Sequence, residues 1–204
     1  MSAPAVSIRD RILEAAFAAF TRHGYTGAST AQIARLAKVS KRDLYTQFGS
    51  KQAMLAACVA ERAERMSRPL SLPMPRDIHA LRETLVRYGM TLLRELGEPE
   101  VLATYRLAIQ EAENAPDLAA TLDRLGRAGT TEALTRLLAT ARAQGLIGSG
   151  DPGETAELFL AVLLDEGLLV RMLMRLAPPP GEDEARRRAE SAVRSLPCFA
   201  PPAL

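Results

Sequence analysis

Apolar positions recur at helical spacing along nearly the whole chain, and no segment of any length alternates apolar with polar as a half-buried strand does. In IRDRILEAAFAAFTRHG, residues Ile8, Ile12, Ala15, Ala16, Phe17 and Phe20 share one face, and Gly24 supplies a C-terminal stop. STAQIARLAK, SKRDLYTQF and SKQAMLAACVAERAERM follow, each opened by a Ser or Thr that can cap free N–H groups. They predict two short helices and then a longer one. Pro69, Pro73 and Pro75 end the periodicity and mark a boundary. Beyond it the pattern predicts helices at about 76–96, 100–113, 117–144, 154–176 and 183–196. Their punctuation is Gly97 with Pro99, Asn114 with Pro116, GLIGSGDPG and APPPGED. The expected fold class is all-α with about nine helices, four in residues 1–68 and the rest in a larger helical domain over residues 69–204.

Ser29 to Phe48 reads as a unit. A helix of about eight residues, a turn of three or four and a second short helix have the dimensions of a helix-turn-helix. Ile33, Ala34, Ala37, Val39, Leu44 and Phe48 are spaced to pack the two helices together and onto Ile12, Ala16, Phe17 and Phe20. That arrangement leaves Lys41, Arg42, Asp43, Tyr45, Thr46 and Gln47 outside. A phosphate-binding surface needs only positive charge, whereas one that reads base edges also needs other donors and acceptors. Asp43 beside two cations fits a reading helix. It equally fits a carboxylate that favours the helix N-terminus or orients Arg42.

Charge adds weight to a nucleic-acid module. Residues 1–68 hold eleven Lys/Arg and five Asp/Glu, a balance of +6, which leaves fifteen basic and nineteen acidic residues elsewhere, −4. A composition rich in Ala and Leu with only 4% aromatic residues and no Trp agrees with helix. The start MSAPAVSIRD lacks the order of a signal peptide, and Leu158 to Leu176 carries Asp165, Glu166, Arg171 and Arg175, too many charges for a membrane span. A cytoplasmic protein is expected.

RILEAAFAAFTRHGYTGASTAQIARLAKVSKRDLYTQFGSKQAMLAACV resembles the DNA-binding domain of the TetR/AcrR family of bacterial transcriptional regulators. The features that carry the likeness are AAFAAFTRHGY, IARLAKVSK, LYTQFGSK and AML, and AIQEAENAPDL is similar to C-terminal domains of one AcrR-like branch. The resemblance implies that Ser29 caps the second helix and Thr30 touches a phosphate. It implies that Lys41, Arg42, Asp43, Thr46 and Gln47 face the major groove, and that Lys51 adds a phosphate contact at the start of the fourth helix. Tyr45 is implied to bond a phosphate or lie against the DNA edge; its other reading is an aromatic half-buried between the third and first helices. Where the family often has Gly in the turn, this chain has Lys38, which either takes a left-handed conformation and contacts a phosphate or sits in a different turn. The partner implied is double-stranded operator DNA.

In such regulators the larger domain dimerises and binds a small-molecule inducer. AELFLAVLLDEGLLVRMLMRL is apolar nearly all round, and Ala185, Ala189, Ala192, Val193 and Leu196 share a face of the last helix. The two helices near 154–176 and 183–196 are expected to form a four-helix homodimer interface, the alternative being that the first is a central core helix. Arg87, Tyr88, Met90, Tyr105, Arg106, Gln110, Met172 and Met174 either line a ligand cavity or are plain core. Ligand binding would shift the fourth helix through the Pro-rich linker.

No enzyme, cofactor or metal reading is supported. GSGDPG spells a phosphate-loop pattern but follows a helix and carries Pro152, so it reads as a turn. Adjacent Asp165 and Glu166 point apart on a helix, and the only histidines, His23 and His79, fit no ligand spacing. The sequence predicts a sequence-specific, inducer-released repressor; the alternative is a helical small-molecule carrier or interaction scaffold without specific DNA reading.

Overall fold

The computed structural model describes residues 7–67, 70, 74–113, 116–148, 150–165 and 167–199. They form helices α1 (Ile8–Gly27), α2 (Thr30–Ala37), α3 (Lys41–Phe48), α4 (Lys51–Ser67), α5 (Ile78–Gly97) and α6 (Pro99–Gln110). Then come α7 (Pro116–Leu122), α8 (Gly129–Ala143), α9 (Pro152–Leu164), α10 (Leu168–Leu173) and α11 (Glu182–Arg194). No strand occurs among the described residues, so the chain is all-α. The expected boundary at 68–69 and the stops at Pro69, Pro73 and Asn114 lie outside the described residues, as does Glu166.

Two segments depart from the predicted helices. The span expected as one helix over 117–144 runs as α7, a π-helical stretch (Asp123–Ala128) and α8. The span expected over 154–176 is broken, because Asp165 and Gly167 adopt left-handed φ values of 51° and 101° between α9 and α10. An apolar run nearly unbroken on all sides disguises that break. At GSGDPG the turn reading holds: Asp151 caps α9 by accepting from the Glu154 N–H at 2.9 Å, and Pro152 occupies the first helical position.

The chain divides into two compact units. Met1–Arg62 with Ala103–Gly126 forms the first. Its core joins Ile12, Leu13, Ala16 and Phe20 of α1 to Ile33, Ala34 and Ala37 of α2, Leu44 of α3, and Met54, Leu55 and Cys58 of α4. Phe17, Val39 and Phe48 pack partly buried against it, while Ile8, expected on the inner face, is exposed. Leu107, Ala108, Leu118 and Leu122 complete this core from α6 and α7. Ile12, Ile33 and Leu44 are fully enclosed, each worth about 1.5–3 kcal/mol of burial.

α2 is joined to α3 by a turn that needs a left-handed residue, and Lys38 fills it with φ 54° and ψ 48°. Its N–H closes α2 by donating to the carbonyls of Ala34 and Arg35. A side chain costs roughly 1–2 kcal/mol in that region, while glycine loses more entropy on folding. Lys38→Gly is therefore expected to raise unfolding stability by about 0.5–1 kcal/mol in urea titration; a loss would show that the lysine side chain holds the turn.

The second unit is Ala63–Leu102 with Arg127–Leu204. Here α11 packs against α5 and α9, and α8 against α9, while Tyr88 of α5 stacks on Phe159 of α9. Leu81, Leu85, Tyr88, Leu92 and Leu93 of α5, Leu134 and Leu138 of α8, Phe159 and Leu163 of α9, and Ala189 and Ala192 of α11 are all buried. The face of Ala185, Ala189, Ala192 and Val193, expected to meet a second subunit, is buried within the protomer instead. Gly89 permits this, since a Cβ there would lie 2.9 Å from the Cβ of Ala189. No helix among the described residues is long and apolar enough to cross a membrane.

Candidate nucleic-acid interface

α3 is eight residues long and buries only Leu44 fully. Lys41, Arg42, Asp43, Tyr45, Thr46 and Gln47 are all exposed, as the pattern predicts. Lys41 and Arg42 form no hydrogen bond or ion pair among the described residues. Two cations in the first turn oppose the partial positive charge of a helix N-terminus.

Asp43 offsets that disadvantage. Its Oδ2 accepts from the Ser40 N–H at 3.1 Å and from the Ser40 hydroxyl at 2.7 Å, while Ser40 Oγ accepts from the Asp43 N–H at 3.0 Å. This reciprocal capping box fixes the start of α3. The signal is present in the sequence as Ser-Lys-Arg-Asp, a capping serine with an acid three residues on. The Asp43 carboxylate lies in the cap.

Two consequences are measurable. Ser40→Ala removes the cap and is expected to cost about 1 kcal/mol in urea unfolding. The bonds from the Ser40 side chain and backbone, and then the Arg42 charge, hold the Asp43 carboxyl below its ordinary range. The unfolded chain therefore binds this proton more readily, so the contribution is present above the usual carboxylate range and is lost as pH falls through the lowered value. Asp43→Asn should differ most from wild type at neutral pH and converge on it in acid, read from unfolding midpoints across a pH series.

The N-terminus of α2 stands beside α3. Ser29 caps it by accepting from the Gln32 N–H at 3.1 Å. Thr30 Oγ1 and Tyr45 Oη share a hydrogen bond at 3.2 Å, which brings together two residues assigned to phosphates. Tyr45 is 46% exposed, and its hydroxyl is tied to α2 through Thr30. Sequence reasoning missed the amide of Gln32, whose Nε2 lies 2.7 Å from His23 Nε2, and Arg9, whose guanidinium lies 5.5 Å from the Phe48 ring centroid. Neither long-range pair has a local signal. Lys51 is half-buried, its ammonium donating to the carbonyls of Tyr25 at 2.8 Å and Ala28 at 3.2 Å.

The residues considered for a ligand fall into different units. Tyr105, Arg106 and Gln110 belong to the first, and Arg87, Tyr88, Met90, Met172 and Met174 to the second. Arg87 and Gln110 are exposed, Met174 is 63% exposed, and Tyr105, Arg106 and Met90 are half-buried. Tyr88 and Met172 are buried. The Tyr88 ring stacks on Phe159 with centroids 6.1 Å apart, and its hydroxyl has no hydrogen-bond partner among the described residues. Burial raises its pKa, so the hydroxyl stays a donor.

A short capped helix, held by one leucine with its polar side turned outward and joined by a tight turn to a second capped helix, defines a helix-turn-helix DNA-binding regulator. Residues 12–58 match the family described as bacterial regulatory proteins, tetR family, and residues 83–198 match the AefR-like transcriptional repressor, C-terminal domain. The chain belongs to the tetR family of transcriptional regulators. It is 27% identical over 192 residues to an uncharacterized HTH-type transcriptional regulator of Mycobacterium tuberculosis, covering 94% of this chain and 85% of the relative. Among solved structures it is similar to a TetR transcriptional regulator from Agrobacterium tumefaciens (27% identity, 93% of each chain, TM-score 0.75). It is also similar to the flavonoid-responsive regulator FrrA (28% identity, 92% of this chain and 93% of that one, TM-score 0.70).

Proposed function

We propose that the protein is a homodimeric repressor that reads operator DNA with α3 and is released by a small molecule bound in its second unit. The observation that carries the DNA reading is the outward polar face of α3 braced on the N-terminus of α2 through Thr30 and Tyr45. In this reading Arg42, Lys41, Thr46 and Gln47 meet base edges and phosphates in the major groove. Ser29, Thr30, Tyr45 and Lys38 hold the flanking backbone, and Asp43 serves by capping α3.

Dimerisation is supported by the apolar side chains that one protomer leaves outside: Leu158 on α9, and Val170, Met174 and Leu176 in and after α10. The remainder of the 154–176 segment supplies core, which joins the two expectations for that segment. The match over residues 83–198 to an AefR-like repressor domain supports repression. A ligand is supported by the unpartnered donor of Tyr88, and the likeness to a flavonoid-responsive regulator makes flavonoids the first class to test.

The test is selection of duplexes from a random library by the full-length protein, followed by footprinting and sedimentation. The expected outcome is a dimer protecting two symmetric half-sites, with a preference over random DNA of about 10³ or more. Flavonoid addition should release the selected duplex. A monomer that binds weakly and without sequence preference would overturn the reading in favour of a scaffold. Release by no flavonoid would remove that ligand class alone.

A further inference from the structure

Lys51 opens α4, and the family resemblance assigns its cation to a DNA phosphate. Its surroundings lie inside the protein. Nζ donates to the carbonyl oxygens of Tyr25 at 2.8 Å and Ala28 at 3.2 Å, and stands 4.5 Å from the centroid of the Tyr25 ring. An ammonium has three donors and no acceptor; two end on carbonyls, and the negative face of the ring attracts the cation. The carbonyls belong to the turn that follows the break in α1 at Gly24, where φ is 74° and ψ is 167°. A helix end leaves such acceptors open, and a cation there satisfies them and favours the negative end of the dipole.

The turn held in this way leads directly into Ser29 and Thr30, the cap and first residue of α2. Neighbouring contacts fasten the same region: Thr26 Oγ1 donates to Glu111 Oε1 at 3.0 Å, and Gln52 Nε2 donates to Asp117 Oδ2 at 3.1 Å. Drawing the ammonium outward to a phosphate would weaken its hold on both carbonyls and the ring. We propose that Lys51 is a positioning residue, fastening the α1–α2 turn so that Ser29 and Thr30 meet the DNA backbone, and that it neutralises no phosphate itself. The proposal rests on the DNA face assigned above.

Counterion release separates the two roles. Each neutralised phosphate contributes about 0.9 to the slope of log K against log salt concentration, whereas a misplaced helix weakens binding without changing that slope. Full-length wild type, Lys51→Met, Tyr25→Leu and Lys41→Met are titrated by fluorescence anisotropy against a duplex selected by the wild type, across about 50–200 mM NaCl. Lys51→Met is expected to weaken binding about tenfold at every salt concentration, with the slope unchanged. Tyr25→Leu removes no charge and should act in the same direction, again with the slope unchanged. Hydrogen exchange at the Ala28 and Gln32 amides of the free protein should quicken in Lys51→Met.

A slope reduced by about 0.9 in Lys51→Met, or an affinity equal to wild type, would overturn the proposal. So would unchanged exchange at those amides. If Lys51→Met does not fold, Tyr25→Leu decides, and wild-type binding by that variant overturns the role. Lys41→Met tests the DNA face separately: a slope reduced by about 0.9 supports that face, and an unchanged slope refutes it whatever Lys51 does.

Discussion

Replacing Lys41 and Arg42 together with methionine is expected to weaken binding to a selected duplex by about 100-fold or more. A bidentate base contact is worth about 1–3 kcal/mol, and taking a cation away from a phosphate also lowers the salt dependence. Both side chains are exposed and unpaired among the described residues, so their removal leaves the packing of the fold intact. Removing two cations from the start of a helix relieves their opposition to the helix dipole, which offsets the loss of the Arg42 charge beside Asp43. Loss of binding with a maintained thermal midpoint is thus the expected signature. Arg186→Met with Arg187→Met removes the same charge from the exposed side of α11 and serves as the control. Equal losses from both pairs would reduce the effect to net charge and remove α3 from the interface.

Gly89→Leu is expected to destabilise the second unit by about 3 kcal/mol, lowering the thermal midpoint by roughly 6–12 °C. At this position α5 approaches two helices at once. A Cβ would stand 2.9 Å from Ala189 Cβ on α11, 3.1 Å from Leu163 Cδ1 and 3.3 Å from Phe159 Cζ on α9. The leucine side chain can be accommodated only by separating helices whose closeness buries Tyr88, Phe159 and Ala189. Helix propensity works the other way, favouring alanine over glycine by about 1 kcal/mol. Gly89→Ala therefore gives the sharper diagnosis: it should destabilise in the wild-type background and recover when combined with Ala189→Gly. Gly27→Ala, where a Cβ would meet nothing closer than 3.7 Å, should be neutral or slightly stabilising. A Gly89→Leu protein with an unchanged midpoint would show that α5 and α11 do not meet at this distance.

Much of the interface is legible from local signals. Leu44 among polar neighbours identifies the inner face of α3, and the alternation of Ile33, Ala34 and Ala37 with polar residues identifies that of α2. For Lys38, standing where the family often has glycine, the sequence leaves a left-handed turn and a different turn both open, and the structure contains the first. The role of Asp43 requires only the spacing from Ser40, a signal three residues long that base reading by the same carboxylate can mask. Lys51 is different. Its partners, the carbonyls of Tyr25 and Ala28, lie more than twenty residues earlier, and backbone oxygens leave no trace in a sequence.

The second unit shows the same division. Periodicity reveals the apolar face of α11 but not its occupant. An alanine stripe that would suit a partner subunit suits α5 equally well, and the choice falls to α5 because Gly89 lets the two backbones approach. The break at Asp165–Gly167 is hidden because burial, not helix pattern, makes the surrounding run apolar. Sequence alone determined the helical class, the caps and the outward polar face of α3, since each depends on residues within a turn or two of one another. Tertiary structure decided which apolar faces meet, that α6 and α7 complete the core of the DNA-binding helices, and that Lys51 turns inward. Those outcomes depend on distances between segments remote in the chain, where packing and the pairing of buried polar groups select one partner among several of the same chemical kind.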